Sequence, residues 1–164
     1  MRDKINSRKK GAKAERNVAL LLKNWTGYEF ARTSASGGLR WKNTNTIGDV
    51  VCTEERHFFP FAIEVKVRKN INFEHLFYLE KADILKFWKQ ATNDAKRGKK
   101  LPLLFMRYNG MPSGFWVLVM QTKDFKKLKP KLKTEHPYAI YRGIKNLVLM
   151  SSKCLTEAQY KGHT

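Results

Sequence analysis

Acidic residues are scarce in this chain: 14 Asp and Glu stand against 33 Lys and Arg, which leaves a formal charge of +19 at pH 7 and a pI near 10.1. Such an excess implies a polyanionic partner. No long apolar run occurs, and neither end carries a signal-peptide pattern or a lipidation signal, so the expected polyanion is nucleic acid rather than a membrane surface. Cysteine is nearly absent. Cys52 and Cys154 lie far apart and form no C-x-x-C, which argues against structural zinc, makes Cys52 a small core residue and fits a reducing cytoplasm. His57, His75, His136 and His163 are scattered without metal-ligand spacing, and no glycine-rich loop followed by lysine offers a nucleotide cradle. Internal repeats, low-complexity stretches and domain boundaries are also missing. The expectation is one domain over residues 1–164, with Met1 to Lys10 as a basic flexible arm and residues 152–164 as a loose tail.

What the chain does have is enough apolar material for a core, 42% hydrophobic and 12% aromatic, and one stretch that concentrates chemistry. From Gly48 to Lys66, two apolar runs carry three charges. The run from Phe58 to Arg68 alternates, so Ile63, Val65 and Val67 share one strand face while Ala62, Glu64 and Lys66 share the other. Charges among residues this apolar are costly unless they are paired or bind something. A divalent cation on Asp49 and Glu64 would satisfy both acids, and Mg²⁺ is suited to one or two carboxylates plus waters and phosphate oxygens. An E-x-K pair on a solvated strand edge is the plainer alternative.

The remaining elements can be read around that stretch. A helix is predicted from Ser7 or Arg8 to Trp25, closed by Gly27, with Ala14, Val18, Leu21, Leu22 and Trp25 as its apolar stripe. Glu15 sits at the edge of this stripe. Two readings stand open for it, a carboxylate directed at the sheet or a surface partner of Arg16 or Lys23. A short strand from Tyr28 to Arg32 precedes Thr33 to Gly38, a hydroxyl- and glycine-rich turn that is either a phosphate contact or a plain loop. Arg40, Trp41 and Lys42 follow in a basic loop suited to DNA, with burial of Trp41 as the other reading. Beyond a short helix near Asn72 come a longer helix from Glu80 to Arg97, strands at Leu101 to Tyr108 and Phe115 to Gln121 joined by a hairpin, and a short helix capped near Thr122 and ended by Pro130. Strands at Tyr138 to Tyr141 and Leu147 to Met150 complete a mixed α/β chain.

Ordered in this way, the motifs resemble the PD-(D/E)XK nuclease superfamily, and within it the archaeal-type Holliday junction resolvases that phages also carry. The matching pieces are G-x-x-x-E at Gly11 to Glu15, Arg32 followed by S-x-S-G at Ser34 to Gly37, the Gly48-Asp49 step, Glu64-Val65-Lys66, and Gln90 in the next helix. They span Gly11 to Tyr108. The resemblance implies a restriction-endonuclease-like core, a central mixed β-sheet flanked by helices. It implies Mg²⁺, with Mn²⁺ able to substitute, held by Asp49, Glu64 and the Val65 backbone carbonyl, with Glu15 joining through a water. It assigns Lys66 to orienting or activating the attacking water and Ser36 to a place near the scissile phosphate. The DNA contacts expected are Arg8, Lys9, Lys10, Lys13, Arg32, Ser34, Arg40, Trp41, Lys42, Arg68, Lys69 and Gln90. A homodimer cutting four-way DNA junctions by paired nicks is the implied assembly and substrate. The residues themselves show no dimer face: Phe77, Tyr78, Leu79 and the hairpin around Phe115 and Trp116 are either such a surface or core. Ile47-Gly48 departs from the pattern, which has proline before the aspartate. Two other readings remain: another nuclease of this superfamily acting on duplex, flap or branched DNA, and a non-catalytic basic DNA-binding protein.

Overall fold

The computed structural model describes residues 2–33, 47–78, 82–133, 135–143 and 145–155, with side chains from Ser7 onward. Helix α1 (Arg2–Thr26) leads into strands β1 (Phe30–Arg32), β2 (Val50–Cys52) and β3 (Phe61–Arg68). A 3-10 turn over Phe73–Phe77 and helix α2 (Asp83–Arg97) carry the chain to β4 (Leu101–Tyr108). Then come β5 (Val117–Gln121), α3 (Thr122–Leu128), β6 (Tyr138–Arg142) and β7 (Asn146–Ser151). The strands form a seven-stranded sheet in the order β1-β2-β3-β4-β5-β7-β6. Only β3 and β4 run parallel, in register from Phe61 opposite Leu101 to Arg68 opposite Tyr108. The long crossover that parallel pairing requires contains α2.

The sheet is covered on both faces, and the two cores explain the sequence pattern of its central strands. On one face Val18, Leu22 and Trp25 of α1 pack with Ile63, Phe105, Trp116 and Phe125; on the other Ile84, Trp88 and Ala91 of α2 pack with Leu104 and Met106. Consecutive residues of β4 therefore enter different cores, which is why Leu103 to Met106 is an unbroken apolar run, fully buried. Trp88 is the largest side chain of the α2 core. Truncating it in Trp88→Ala is expected to cost about 3–5 kcal/mol in chemical denaturation, since the sheet cannot collapse into the space left.

α1 ends as its sequence predicts. Gly27 takes φ +78° and its N–H donates to the Lys23 carbonyl, a left-handed cap that suits glycine. Its start differs: the helix begins at Arg2, so residues 2–10 are the first turns of α1 and not a loose arm. No proline or helix-capping break interrupts Arg2 to Lys10, and its Arg and Lys are good helix formers. The C-terminal end differs in the same direction. A 3-10 turn over Ser152–Cys154 buries Cys154 and Leu155 in the α1-side core, so the expected tail starts later than residue 152. Thr122 is the first residue of α3 rather than its cap, which is Gln121, and its buried hydroxyl has no hydrogen-bond partner among the described residues. Trp116 is core and so drops out as a dimer surface, whereas Phe77 and Tyr78 are 85% and 66% exposed. Leu79 lies outside the described residues. Among the described residues no helix is long and apolar enough to cross a membrane.

Candidate active site

The candidate site is built where β2 meets β3, and a glycine makes the approach possible. Gly48 has φ +110°, and a Cβ there would stand 2.6 Å from the Ile63 carbonyl oxygen. Proline, held near φ −65°, has no access to that conformation, which accounts for the missing proline of the motif. Past Gly48, Asp49 grips β3 on both sides of Glu64. Its N–H donates to the Ile63 carbonyl at 2.7 Å, and its Oδ2 accepts from the Val65 N–H at 2.8 Å. The end of β1 fixes the same turn from behind: the Thr33 N–H donates to the Asp49 carbonyl and the Thr33 hydroxyl to the Gly48 carbonyl.

Glu64 is 4% exposed, and its carboxylate forms an ion pair with the Lys66 ammonium two residues on. The i, i+2 spacing puts both on the face of β3 that Leu104 and Met106 share on β4, as the alternation predicts. A buried pair of this kind is held by its own complementarity. Removing one partner strands the other charge and costs about 3–5 kcal/mol. Lys66→Met is accordingly expected to lower stability as well as cleavage, and comparison of its urea midpoint with its cleavage rate separates the two effects.

Among the described residues Asp49 is in no ion pair, and Lys66 is paired with Glu64. Burial pushes the Asp49 carboxyl up from 3.8 to about 6, and the neighbouring Glu64 charge adds to the rise, with Glu15 contributing further. The Val65 N–H and Lys66 pull in the opposite direction without cancelling it. Glu15 answers the question its periodicity left open. Its Oε2 accepts from Arg32 Nε at 2.8 Å, while Lys23 pairs with Glu29, so Glu15 is tied to the β1 edge of the site and not to a surface lysine of its own helix.

This donor set fits a hard divalent cation. Two crowded carboxylates supply oxygen ligands whose mutual repulsion a dication would relieve. Among the described residues no group of three or more His, Cys, Asp or Glu forms a fuller cage, so such an ion would take the rest of its shell from water and substrate oxygens.

The structure therefore brings Asp49, Glu64, Lys66, Glu15 and Arg32 together. Ser34, Ser36, Arg40, Trp41 and Lys42 lie outside the described residues. Arg8, Lys9, Lys10 and Lys13 line exposed parts of α1, Gln90 is exposed on α2, and Lys69 is exposed beyond β3. Arg68 lies 4.7 Å over the Phe87 ring of α2. Sequence reasoning passed over Arg107 and Asn109. The signal was an arginine closing an apolar strand just before an Asn-Gly turn.

A family model described as "Phage putative PDDEXK endonuclease" matches residues 6–156, almost the whole chain and every acidic residue of the site. The chain belongs to this endonuclease family. The PD-(D/E)XK assignment agrees with the observed mixed sheet. Protein D14 of Escherichia phage T5 is 25% identical over 122 residues, which cover 73% of this chain and 74% of that protein. No solved structure matches the chain.

Proposed function

We propose that this member of the PD-(D/E)XK family is a Mg²⁺-dependent, structure-selective DNA endonuclease that resolves four-way junctions by paired nicks as a homodimer. The observation that carries the catalytic part is the buried Asp49 gripping β3 around Glu64, with Lys66 paired beside it. The charge of +19 supports a nucleic-acid substrate. A divalent cation, when bound, neutralises charge on the phosphodiester and makes water a better nucleophile. Asp49 and Glu64 would hold it. Lys66 is positioned to orient the attacking water or to steer its proton, and Arg32, fixed by Glu15, presents the remainder of its guanidinium toward a phosphate. A junction has two symmetric strands to cut, and a two-fold dimer offers two sites at matched spacing, which is the argument for the dimer. Exposed Phe77 and Tyr78 are its candidate surface.

Because protons compete with a cation for Asp49, cleavage at subsaturating Mg²⁺ is expected to fall about tenfold per pH unit below about 6 and to level off above it. A rate–pH profile at two Mg²⁺ concentrations checks this. The substrate is tested by incubating wild-type protein with an immobile four-way junction and with linear duplex of the same sequence. Paired symmetric nicks confined to the junction support resolution. Equal cutting of both keeps the nuclease and discards the junction preference.

A further inference from the structure

A cleft of about 280 Å³ opens beside α1, between that helix and the turn joining β4 to β5. Lys10, Lys13 and Asn17 recur along α1 at helical spacing and line one wall; Arg107 and Asn109 line the other, and Trp116 closes its floor. Among the described residues, three cations and no acid face this space. Two of the cations, Arg107 and Lys10, are also held in place. Arg107 stacks 5.5 Å over the Trp116 ring, and its Nη2 donates to the Met111 carbonyl at 3.1 Å and toward the Pro112 carbonyl at 3.4 Å, so its other nitrogens remain available. Lys10 Nζ donates to Asn109 Oδ1 at 2.5 Å, which bridges the helix and the turn across the cleft. A guanidinium fixed by stacking and carbonyls, facing two ammonium groups without a carboxylate, is a receptor for an anion with several oxygens.

We propose that this cleft binds a backbone phosphate of the DNA away from the scissile position. The inference rests on the nuclease reading above and deepens it. Val67 and its β4 partner Arg107 line the cleft on the α1 face of the sheet, whereas Glu64 and Lys66 share the other face with Leu104 and Met106, so cleft and catalytic acids lie on opposite sides of β3. Bound there, the phosphate would hold the DNA while another part of it reaches Asp49 and Glu64, a positioning role with no part in bond breaking.

The test is fluorescence anisotropy of labelled duplex DNA in EDTA across a salt series, with wild type, Arg107→Gln, Lys13→Gln and Lys23→Gln. Lys23 removes one charge from the far end of the same helix and serves as the control. Arg107→Gln and Lys13→Gln are each expected to raise Kd about tenfold and to reduce the slope of log K against log salt by about one, with Lys23→Gln close to wild type. If Arg107→Gln fails to fold, Lys13→Gln, whose side chain is exposed, still decides the matter. Both variants behaving like Lys23→Gln, in a protein that binds and cuts DNA, would overturn the cleft alone. Wild-type protein that binds no DNA would overturn the nuclease reading and the cleft with it.

Discussion

Asp49→Asn is expected to make the cation-free protein more stable at neutral pH while removing its cleavage of DNA. The carboxyl is raised from 3.8 to about 6 because it is buried beside Glu64. The folded state therefore holds the proton more tightly than the unfolded chain does. Stability from this group is fully present below about pH 4 and is lost as pH rises through about 6, a loss of at most about 3 kcal/mol by pH 7. Asparagine carries no charge to desolvate and keeps an oxygen for the Val65 N–H. A gain of about 1–3 kcal/mol follows, or roughly 2–4 °C in the thermal midpoint for each kcal/mol in a chain of this size. The wild-type midpoint should also decline between pH 4 and 6 more steeply than that of the variant. Cleavage should drop on the order of a thousandfold, as when one preorganised electrostatic group is removed from an active site. Greater stability with less activity marks a site whose charges are arranged for a ligand. An unchanged or lowered midpoint at pH 7 would show that Asp49 is not strained in the way the geometry implies.

Gly48→Ala is expected to be among the most damaging single substitutions in the chain, although it adds one methyl group. A non-glycine residue at φ +110° carries about 1–3 kcal/mol of backbone strain. The new Cβ would also stand 2.6 Å from the Ile63 carbonyl oxygen and 2.9 Å from the Ile63 nitrogen, both backbone atoms in the middle of the sheet. Relief requires β2 to move away from β3, which breaks the bond from the Asp49 N–H to Ile63 and withdraws Asp49 from Glu64. The expected result is a loss of about 3–5 kcal/mol in urea denaturation and loss of cleavage in whatever fraction stays folded. Gly48→Pro, which would restore the superfamily's usual residue, should do no better because its φ is fixed far from +110°. A variant with near-wild-type midpoint and activity would mean that the turn has another conformation available.

Much of this was legible in the sequence, for reasons that differ from element to element. β4 could be delimited from Leu101 to Tyr108 because burial on both faces leaves an apolar run, and Gly27 and Gly98 marked the ends of the two long helices. The facing of Glu64 and Lys66 followed from the two-residue period of a strand. Periodicity said less about termini. Arg2 to Lys10 is polar except for Ile5, too little apolar periodicity to mark where the helix begins, and the two buried residues Cys154 and Leu155 are too few to register as an element. Three-dimensional partners were the least visible. The Glu15–Arg32 pair joins residues seventeen positions apart, and the cleft of Lys10, Lys13 and Arg107 joins residues nearly a hundred apart, so neither leaves a local pattern.

The central claim is that Asp49 and Glu64 form a cation-dependent centre for DNA hydrolysis, and single-turnover cleavage of a labelled four-way junction tests it most directly. Wild type and Glu64→Gln would be compared in Mg²⁺ and in EDTA, with DNA binding measured in the same samples. The account predicts cleavage by wild type in Mg²⁺ alone, and full binding without cleavage in the other three cases. Cleavage at the wild-type rate by Glu64→Gln, or by wild type in EDTA, would contradict it.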